Sequence, residues 1–409
     1  MKLKFMIALL PLFIMWSGAF SQSINDVYDG GVEKMKKKIY DEAIKDFSFV
    51  IQKDSYYYNA LHDRAMCYAA QNKIDLAIKD LSASITAKKD FLQAFLDRAD
   101  IYYKTNKTKE ALADYEQIIK LKPAYILAYE NRANLYIQEK NNALALIDLS
   151  KAIELKTNNE NCYIQRGNIY LENNKINEAI KDYSTAITIN QNNGFSYYKR
   201  AQCNINQQKY KEAIPDLNKA IELKIINEEI YFQRANAYNI IKMNDKALAD
   251  YSVIINTYKT KKPEVYLKRG LLYSELRQYA NAVKDFSKVI TLDKTNFEAY
   301  FNRGEAYAKQ GKTKDPLAIK DFSKAIELNS ESGEAYLKRG IYYYDKKKND
   351  DALDDLNKAV KLTKSAMSYY YRGAILYEMK KTDDACLDLK KAKEMGLKEA
   401  ITKSNNLCP

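Results

Sequence analysis

The sequence predicts an all-α solenoid of about eleven helix–turn–helix repeats, and three observations predict it. Alanines recur at a 34-residue period, a second small residue stands twelve before most of them, and aromatic side chains flank both at helical spacings. Spacings of three, four and seven place side chains on one face of a helix. Small residues at two fixed points let two helices approach closely where they cross.

Residues 1–21 stand outside this pattern. Lys2 and Lys4 open the chain, an apolar run extends from Phe5 to Trp16, and Ser17-Gly18-Ala19-Phe20-Ser21 puts small residues at −3 and −1 of a cut before Gln22. That layout predicts a cleaved secretory signal, since twelve apolar residues are too few to span a bilayer. The mature protein is then expected outside the cytoplasm, periplasmic or secreted, with no integral membrane segment. It carries 64 basic and 53 acidic residues, a net +11.

The ladder itself begins at Ala43 and continues through Ala77, Ala111, Ala145, Ala179, Ala213 and Ala247 without a slip. Ala282, Ala318, Ala352 and Ala385 follow at spacings of 35, 36, 34 and 33. The small partners are Gly31, Ala65, Ala99, Ala133, Gly167, Ala201, Ala235, Gly270, Gly340 and Gly373, with Gly304 displaced by a two-residue insertion within Gly311 to Pro316. An aromatic stands four before the small partner in Phe95, Tyr129, Tyr163 and Tyr197, and a Tyr three after it in Tyr68, Tyr102, Tyr136 and Tyr170. Phe, Tyr or Leu stands four past each ladder alanine, as in Phe47, Tyr115 and Phe286. Repeats therefore start near 24, 58, 92, 126, 160, 194, 228, 263, 297, 333 and 366, within a solenoid over 22–395 that residues 396–409 close with a capping helix and tail.

This pattern resembles the tetratricopeptide repeat, W-x₂-L-G-x₂-Y…A-x₃-F…P. Tyr replaces its Trp, Arg replaces its Leu, and the closing Pro survives only as Pro123. The resemblance implies units stacked in a right-handed superhelix, the first helix of each lining a concave face, and a function in holding other proteins.

Two charged positions recur with the ladder. An Arg precedes the small residue ten times, from Arg64 to Arg372, and an Asp lies three past every ladder alanine, from Asp46 to Asp388. Their co-occurrence predicts pairing between helices rather than a phosphate-binding row. Pro215 is expected to kink the sixth repeat's second helix or delay its start, whereas Pro316 sits at a helix start that tolerates it. Cys386 and Cys408 come level if the chain folds back after Gly396, which predicts a bridge stapling the C-terminal cap.

Chemistry is sparsely provided for. One histidine, His62, makes a His-based metal site or catalytic triad nearly impossible to assemble, and no CxxC, Gly-rich phosphate loop or nucleophile motif occurs. The expectation is a protein that is not an enzyme and needs no cofactor.

Function then falls to the concave positions that the resemblance implies, which are 2, 5, 9, 12 and 13 when the small residue counts as 8. In repeats two to eleven these hold Asp100, Glu130, Glu172, Glu229, Glu264, Glu275, Glu298, Glu305, Glu334, Asp345 and Glu378, against only Lys104 and Lys309. Tyr103, Tyr198, Phe232, Phe301, Tyr344 and Tyr370 lie among them with the amides Asn134, Asn236 and Asn239. An acidic, aromatic groove predicts a protein or peptide partner with apolar and basic side chains. It argues against nucleic acid, which needs a basic groove. A glycan- or cell-wall-binding module is the alternative, and an anionic-surface binder using the basic exterior is a weaker one.

Overall fold

The computed structural model of the protein describes residues 23–408, which form helices joined by short turns, with no strand among the described residues. The segment read as a signal, 1–21, lies outside them. The chain divides between Asn190 and Gln191 into two compact bodies.

The first body holds five hairpins. These are α1 (Ile24–Lys36) with α2 (Tyr40–Lys53), α3 (Tyr58–Ala70) with α4 (Ile74–Ala87), α5 (Leu92–Lys104) with α6 (Thr108–Leu121), α7 (Ile126–Gln138) with α8 (Asn142–Glu154), and α9 (Glu160–Glu172) with α10 (Ile176–Ile189). The second holds six: α11 (Gly194–Asn206) with α12 (Tyr210–Glu222), α13 (Glu228–Ile240) with α14 (Asn244–Asn256), α15 (Pro263–Glu275) with α16 (Tyr279–Leu292), α17 (Phe297–Lys309) with α18 (Asp315–Leu328), α19 (Gly333–Asp345) with α20 (Asn349–Thr363), and α21 (Ala366–Glu378) with α22 (Thr382–Glu394). A last helix, α23 (Lys398–Leu407), packs on α22.

Within each body, every second helix packs on the first helix of the next repeat. First helices also touch their successors, as α1 touches α3, α15 touches α17 and α19 touches α21. They line one side of each stack, called here the inner side.

The ladder explains the packing. All eleven ladder alanines are fully buried, and the large residue four positions on packs against the small residue of the first helix, as Phe47 does against Gly31. A methyl group added at Gly270 would lie 2.8 Å from the Phe286 ring, and one at Gly167 would lie 2.9 Å from the Tyr183 ring. Gly270→Ala is therefore expected to lower stability by about 1–3 kcal/mol through overpacking. Gly30→Ala, whose methyl would meet nothing nearer than Asp46 Oδ2 at 3.8 Å, should instead raise it by about 0.5–1 kcal/mol through helix propensity. Thermal melts of the two variants check the pair, and equal shifts would refute the steric account.

The turn inside each repeat is just as regular. In the second repeat Gln71 caps α3, Asn72 takes φ 60°, and the Lys73 N–H donates to the Tyr68 carbonyl. That hydrogen bond satisfies an end carbonyl and turns the chain into α4. The equivalent residues Lys38, Asn106, Lys140, Asn174, Gln208, Lys242, Arg277, Lys347 and Lys380 share the conformation. In the ninth repeat Gly311 holds the position at φ 105°, and a single 3-10 turn, Lys312–Lys314, accommodates the insertion before α18. Pro316 falls in the first turn of α18. Pro215, expected to disturb its helix, is the sixth residue of α12, which starts at Tyr210 without delay and continues to Glu222.

Candidate functional site

The recurring arginines and aspartates are consumed by the fold. In each repeat from the second onward the Arg of the first helix grips the Asp of its own second helix with two hydrogen bonds. Arg98 Nε donates to Asp114 Oδ2 at 2.9 Å and Nη2 to Oδ1 at 2.6 Å, and Arg339 grips Asp355 in the same way at 2.7 and 2.8 Å. The remaining guanidinium nitrogen often reaches back to the preceding repeat. Arg64 Nη1 donates to Ser48 Oγ, Arg98 Nη1 to Ser82 Oγ and Arg339 Nη1 to Ser323 Oγ. Arg234 and Arg372 find Asn218 and Asn357 there. Aromatic rings stack on both sides, with Tyr129 and Tyr136 each 5.9 Å from the Arg132 guanidinium carbon. The abundance of tyrosine follows from this repeated sandwich. In the first repeat Gly30 stands where the Arg belongs, and Lys34 one turn on supplies the cation to Asp46 at 2.7 Å.

The positions read from the sequence as a groove lie on the first helices, and each body is distinct. In the first, a polar chain links successive first helices. Tyr28 donates to Asp63 Oδ2 at 2.7 Å, and His62 lies between Asp63 Oδ1 at 2.9 Å and Asp97 Oδ2 at 2.7 Å. Burial works to discharge the imidazole, but the hydrogen bonds to Asp63 and Asp97 overcome it and raise its pKa to about 9. A folded pKa above the unfolded value of about 6.5 means that stability is fully present below pH 6.5 and is lost as pH rises through 9. The expected loss is about 1–3 kcal/mol of local stability across that window. His62 is the only imidazole in the chain, so its proton resonance reports the titration without ambiguity. An apparent pKa near 6.5 would show that the carboxylates do not hold the charge.

Further along this body, Tyr103 accepts from Gln138 Nε2 at 2.7 Å and Asn134 accepts from Gln165 Nε2 at 2.6 Å. Glu130 departs from its expected place on the groove surface. It is buried, and its carboxylate takes hydrogen bonds from Thr157 and from Asn159 Nδ2, tying α7 to the loop before α9. That carboxylate is not presented to a partner.

In the second body two of the expected acids are offset by lysines and a third is held by a tyrosine. Lys242 Nζ lies 2.7 Å from Glu275, Lys338 Nζ lies 3.1 Å from Glu305, and Tyr344 donates to Glu378 at 2.8 Å. Asp345 is exposed. The aromatics divide as well. Tyr198 is buried, Phe232 packs against Tyr251, and Phe301 stacks on Phe297 and tilts against Phe322, so these three serve the core. Asn236 accepts from Tyr251 at 2.6 Å, and Asn239 is half-buried beside it on α13. Tyr370 meets Tyr371 edge-on at 5.2 Å, and Tyr371 in turn meets Tyr344 at 6.1 Å.

Cys386 on α22 and Cys408 after α23 are joined by a disulfide, their Cα atoms 5.5 Å apart. Cys67, Cys162 and Cys203 are buried free thiols, pushed up by burial to about 11, about 12 and about 11. Thiols so protonated are poor nucleophiles. Among the described residues no cluster of His, Cys, Asp and Glu has the makings of a metal site, and no helix is long and apolar enough to cross a membrane.

Paired helices stacked through buried alanines, with an inner surface left to vary, define an α-solenoid of the class that serves as protein–protein interaction scaffolds. Profiles described as tetratricopeptide repeat match residues 96–160 and 316–367, 161–193, and 196–224 and 297–332, and one described as TPR repeat matches 270–311. Together these segments cover more than half of the chain, which belongs to the tetratricopeptide repeat family. Solved structures with similar folds include a tetratricopeptide repeat protein from Parabacteroides merdae ATCC 43184, at 24% identity and TM-score 0.42, covering 61% of this chain and 98% of that one. Another is the C-terminal part of a repeat protein from Cytophaga hutchinsonii, at 20% identity and TM-score 0.43, covering 67% and 98%. Yeast Tom70 matches at 16% identity and TM-score 0.37, covering 87% and 96%. No curated protein sequence matches the chain.

Proposed function

We propose that this protein is a non-catalytic scaffold outside the cytoplasm that holds a peptide or protein partner on the inner sides of its helical stacks. One observation carries the reading. Large side chains of first helices stay exposed on that side although stacking has buried every ladder residue. Tyr103 (40%) and Leu127 (46%) are such side chains in the first body, and Phe195 (39%) and Tyr377 (37%) in the second. Exposed aromatic and aliphatic anchors among amides suit a peptide bound by a few hot spots. The acidic character is milder than the count of carboxylates implies, because Lys242 and Lys338 offset two of them.

The disulfide supports an extracytoplasmic place, since such bonds persist in oxidising compartments. Export of the full chain should yield a product whose first residue is Gln22, read by N-terminal sequencing, and an uncut product would remove that part of the reading. For the function, displayed random peptides are selected on the chain from Gln22, beside a variant with Tyr103, Leu127, Phe195 and Tyr377 changed to Ala. Retention of apolar and basic peptides that the variant loses is the expected result. Retention of polysaccharide alone would favour a glycan-binding module, and retention of neither would defeat both readings.

A further inference from the structure

Three first helices place a polar residue directly after the small one, where it meets a buried tyrosine from the second helix of its own repeat. Tyr115 Oη lies 3.2 Å from Asp100 Oδ1, Tyr183 Oη lies 2.8 Å from Asn168 Oδ1, and Tyr251 Oη lies 2.6 Å from Asn236 Oδ1. In two of the three a neutral amide accepts the phenol, so fixing the tyrosine needs no charge. Asp100 carries one nonetheless. Its neighbours on the same side of the first body are provided for: Asp63 and Asp97 share His62, and Glu130 is held by Thr157 and Asn159. Asp100 is exposed, and among the described residues its hydrogen bond is from Tyr115.

A cleft of about 400 Å³ opens beside this carboxylate. Tyr103 and Leu127 line it with apolar surface, Asn131 and Asn134 with amides, and Lys104, one turn along α5 from Asp100, lines it as well. A cationic head on an aliphatic stem satisfies all of these at once. The stem covers the tyrosine ring and the leucine, while the head takes the carboxylate and the amide oxygens. An acidic side chain would leave Asp100 opposed by a like charge, and a purely apolar one would strip water from it without replacement.

We propose that the Asp100 cleft is a pocket for a lysine or arginine side chain of a bound peptide. The proposal rests on the reading of the inner side as a peptide-binding surface and names the chemistry of one position in that peptide. Asp100 is its anchor, Tyr115 holds the anchor in place, and Lys104 weakens binding by competing for the same carboxylate.

The test uses the chain from Gln22 with labelled leucine methyls, observed by NMR at Leu127. n-Butylammonium chloride, sodium butyrate and n-butanol are titrated at constant ionic strength. Only butylammonium is expected to shift the Leu127 methyls saturably. Asp100→Asn should weaken it about tenfold or more, as loss of a charge-assisted hydrogen bond implies, and Lys104→Ala should tighten it. Because Asn168 and Asn236 already serve Tyr183 and Tyr251, Asp100→Asn keeps an acceptor for Tyr115 and leaves the fold intact. Equal response to butyrate or butanol, or unchanged binding to Asp100→Asn, overturns the pocket. Peptides selected on the native chain that bind Asp100→Asn equally well also overturn it while leaving the scaffold function standing. Asp100-dependent butylammonium binding with no peptide retained leaves the pocket and defeats the scaffold function.

Discussion

Arg98→Ala is expected to cost about 3–5 kcal/mol of local stability, the loss typical of a buried ion pair broken from one side. Asp114 is only 3% exposed, and burial pushes its carboxyl up against the opposing pull of Arg98. Removing the guanidinium leaves that burial uncompensated. It also empties the slot between Phe95 and Tyr102, which lie 5.7 and 5.8 Å from the guanidinium carbon, and drops the bond to Ser82 that ties the third repeat to the second. The intact pair is a different matter, since desolvation offsets most of its attraction. The double variant Arg98→Ala/Asp114→Ala should therefore recover a large part of what the single variant loses. Because repeats contact mainly their neighbours, amide hydrogen exchange is the right measurement. Protection should fall over α5 and α6 and the helices touching them, and hold in α1. A double variant as unstable as the single one would mean that the pair itself, not the orphaned charge, supplies the stability.

That pairing was legible in the sequence because repetition multiplied a weak signal. One Arg and one Asp sixteen residues apart mean little, but nine such pairs, and a tenth at eighteen across the ninth repeat's insertion, locked to an alanine ladder specify a contact. The helix crossings were legible for the same reason, since the size of Ala43 and its equivalents is dictated by the distance between two helices. The third bond of the guanidinium was missed although its signal was present: Ser48, Ser82, Ser150, Asn218, Ser252, Ser287, Ser323 and Asn357 recur five past the ladder alanine. The inner side was much less legible. Position counting put Glu130 on a groove surface, yet its carboxylate turns toward a loop 27 residues on. Counting acids at five positions likewise overlooked Lys338, at a sixth position, and Lys242, in a turn, which compensate Glu305 and Glu275. Neighbours set charge, and the neighbours of an inner-side residue come from three elements whose side chains obey no repeat.

The C-terminal end yields the second large effect. Cys386 occupies the position directly after the ladder alanine, where Ile44, Ile78, Leu112, Leu146, Ile180, Ile214, Leu248, Val283, Ile319 and Leu353 stand in earlier repeats. In the sixth repeat that residue, Ile214, shares a core cluster with Tyr238 of the next first helix. Cys408 lies eight past Ala400, as Tyr238 lies eight past Ile230, so the disulfide replaces the aliphatic–tyrosine contact that joins one repeat to the next. Ten residues are too few for a helix to persist unaided, and among its described side chains α23 buries Ala400 and Ser404. Closing a loop of 22 residues removes unfolded-state entropy worth about 3 kcal/mol in the chain-entropy account. Reduction, or Cys386→Ser with Cys408→Ser, should therefore free α23 while α1 to α10 keep their protection. Hydrogen exchange over 398–407 with and without dithiothreitol measures this directly. The untreated denatured protein should titrate the three thiols of Cys67, Cys162 and Cys203 and gain two more on reduction. Five thiols before reduction would remove the staple, and unchanged protection after it would mean that Ala400 and its few neighbours hold the cap alone.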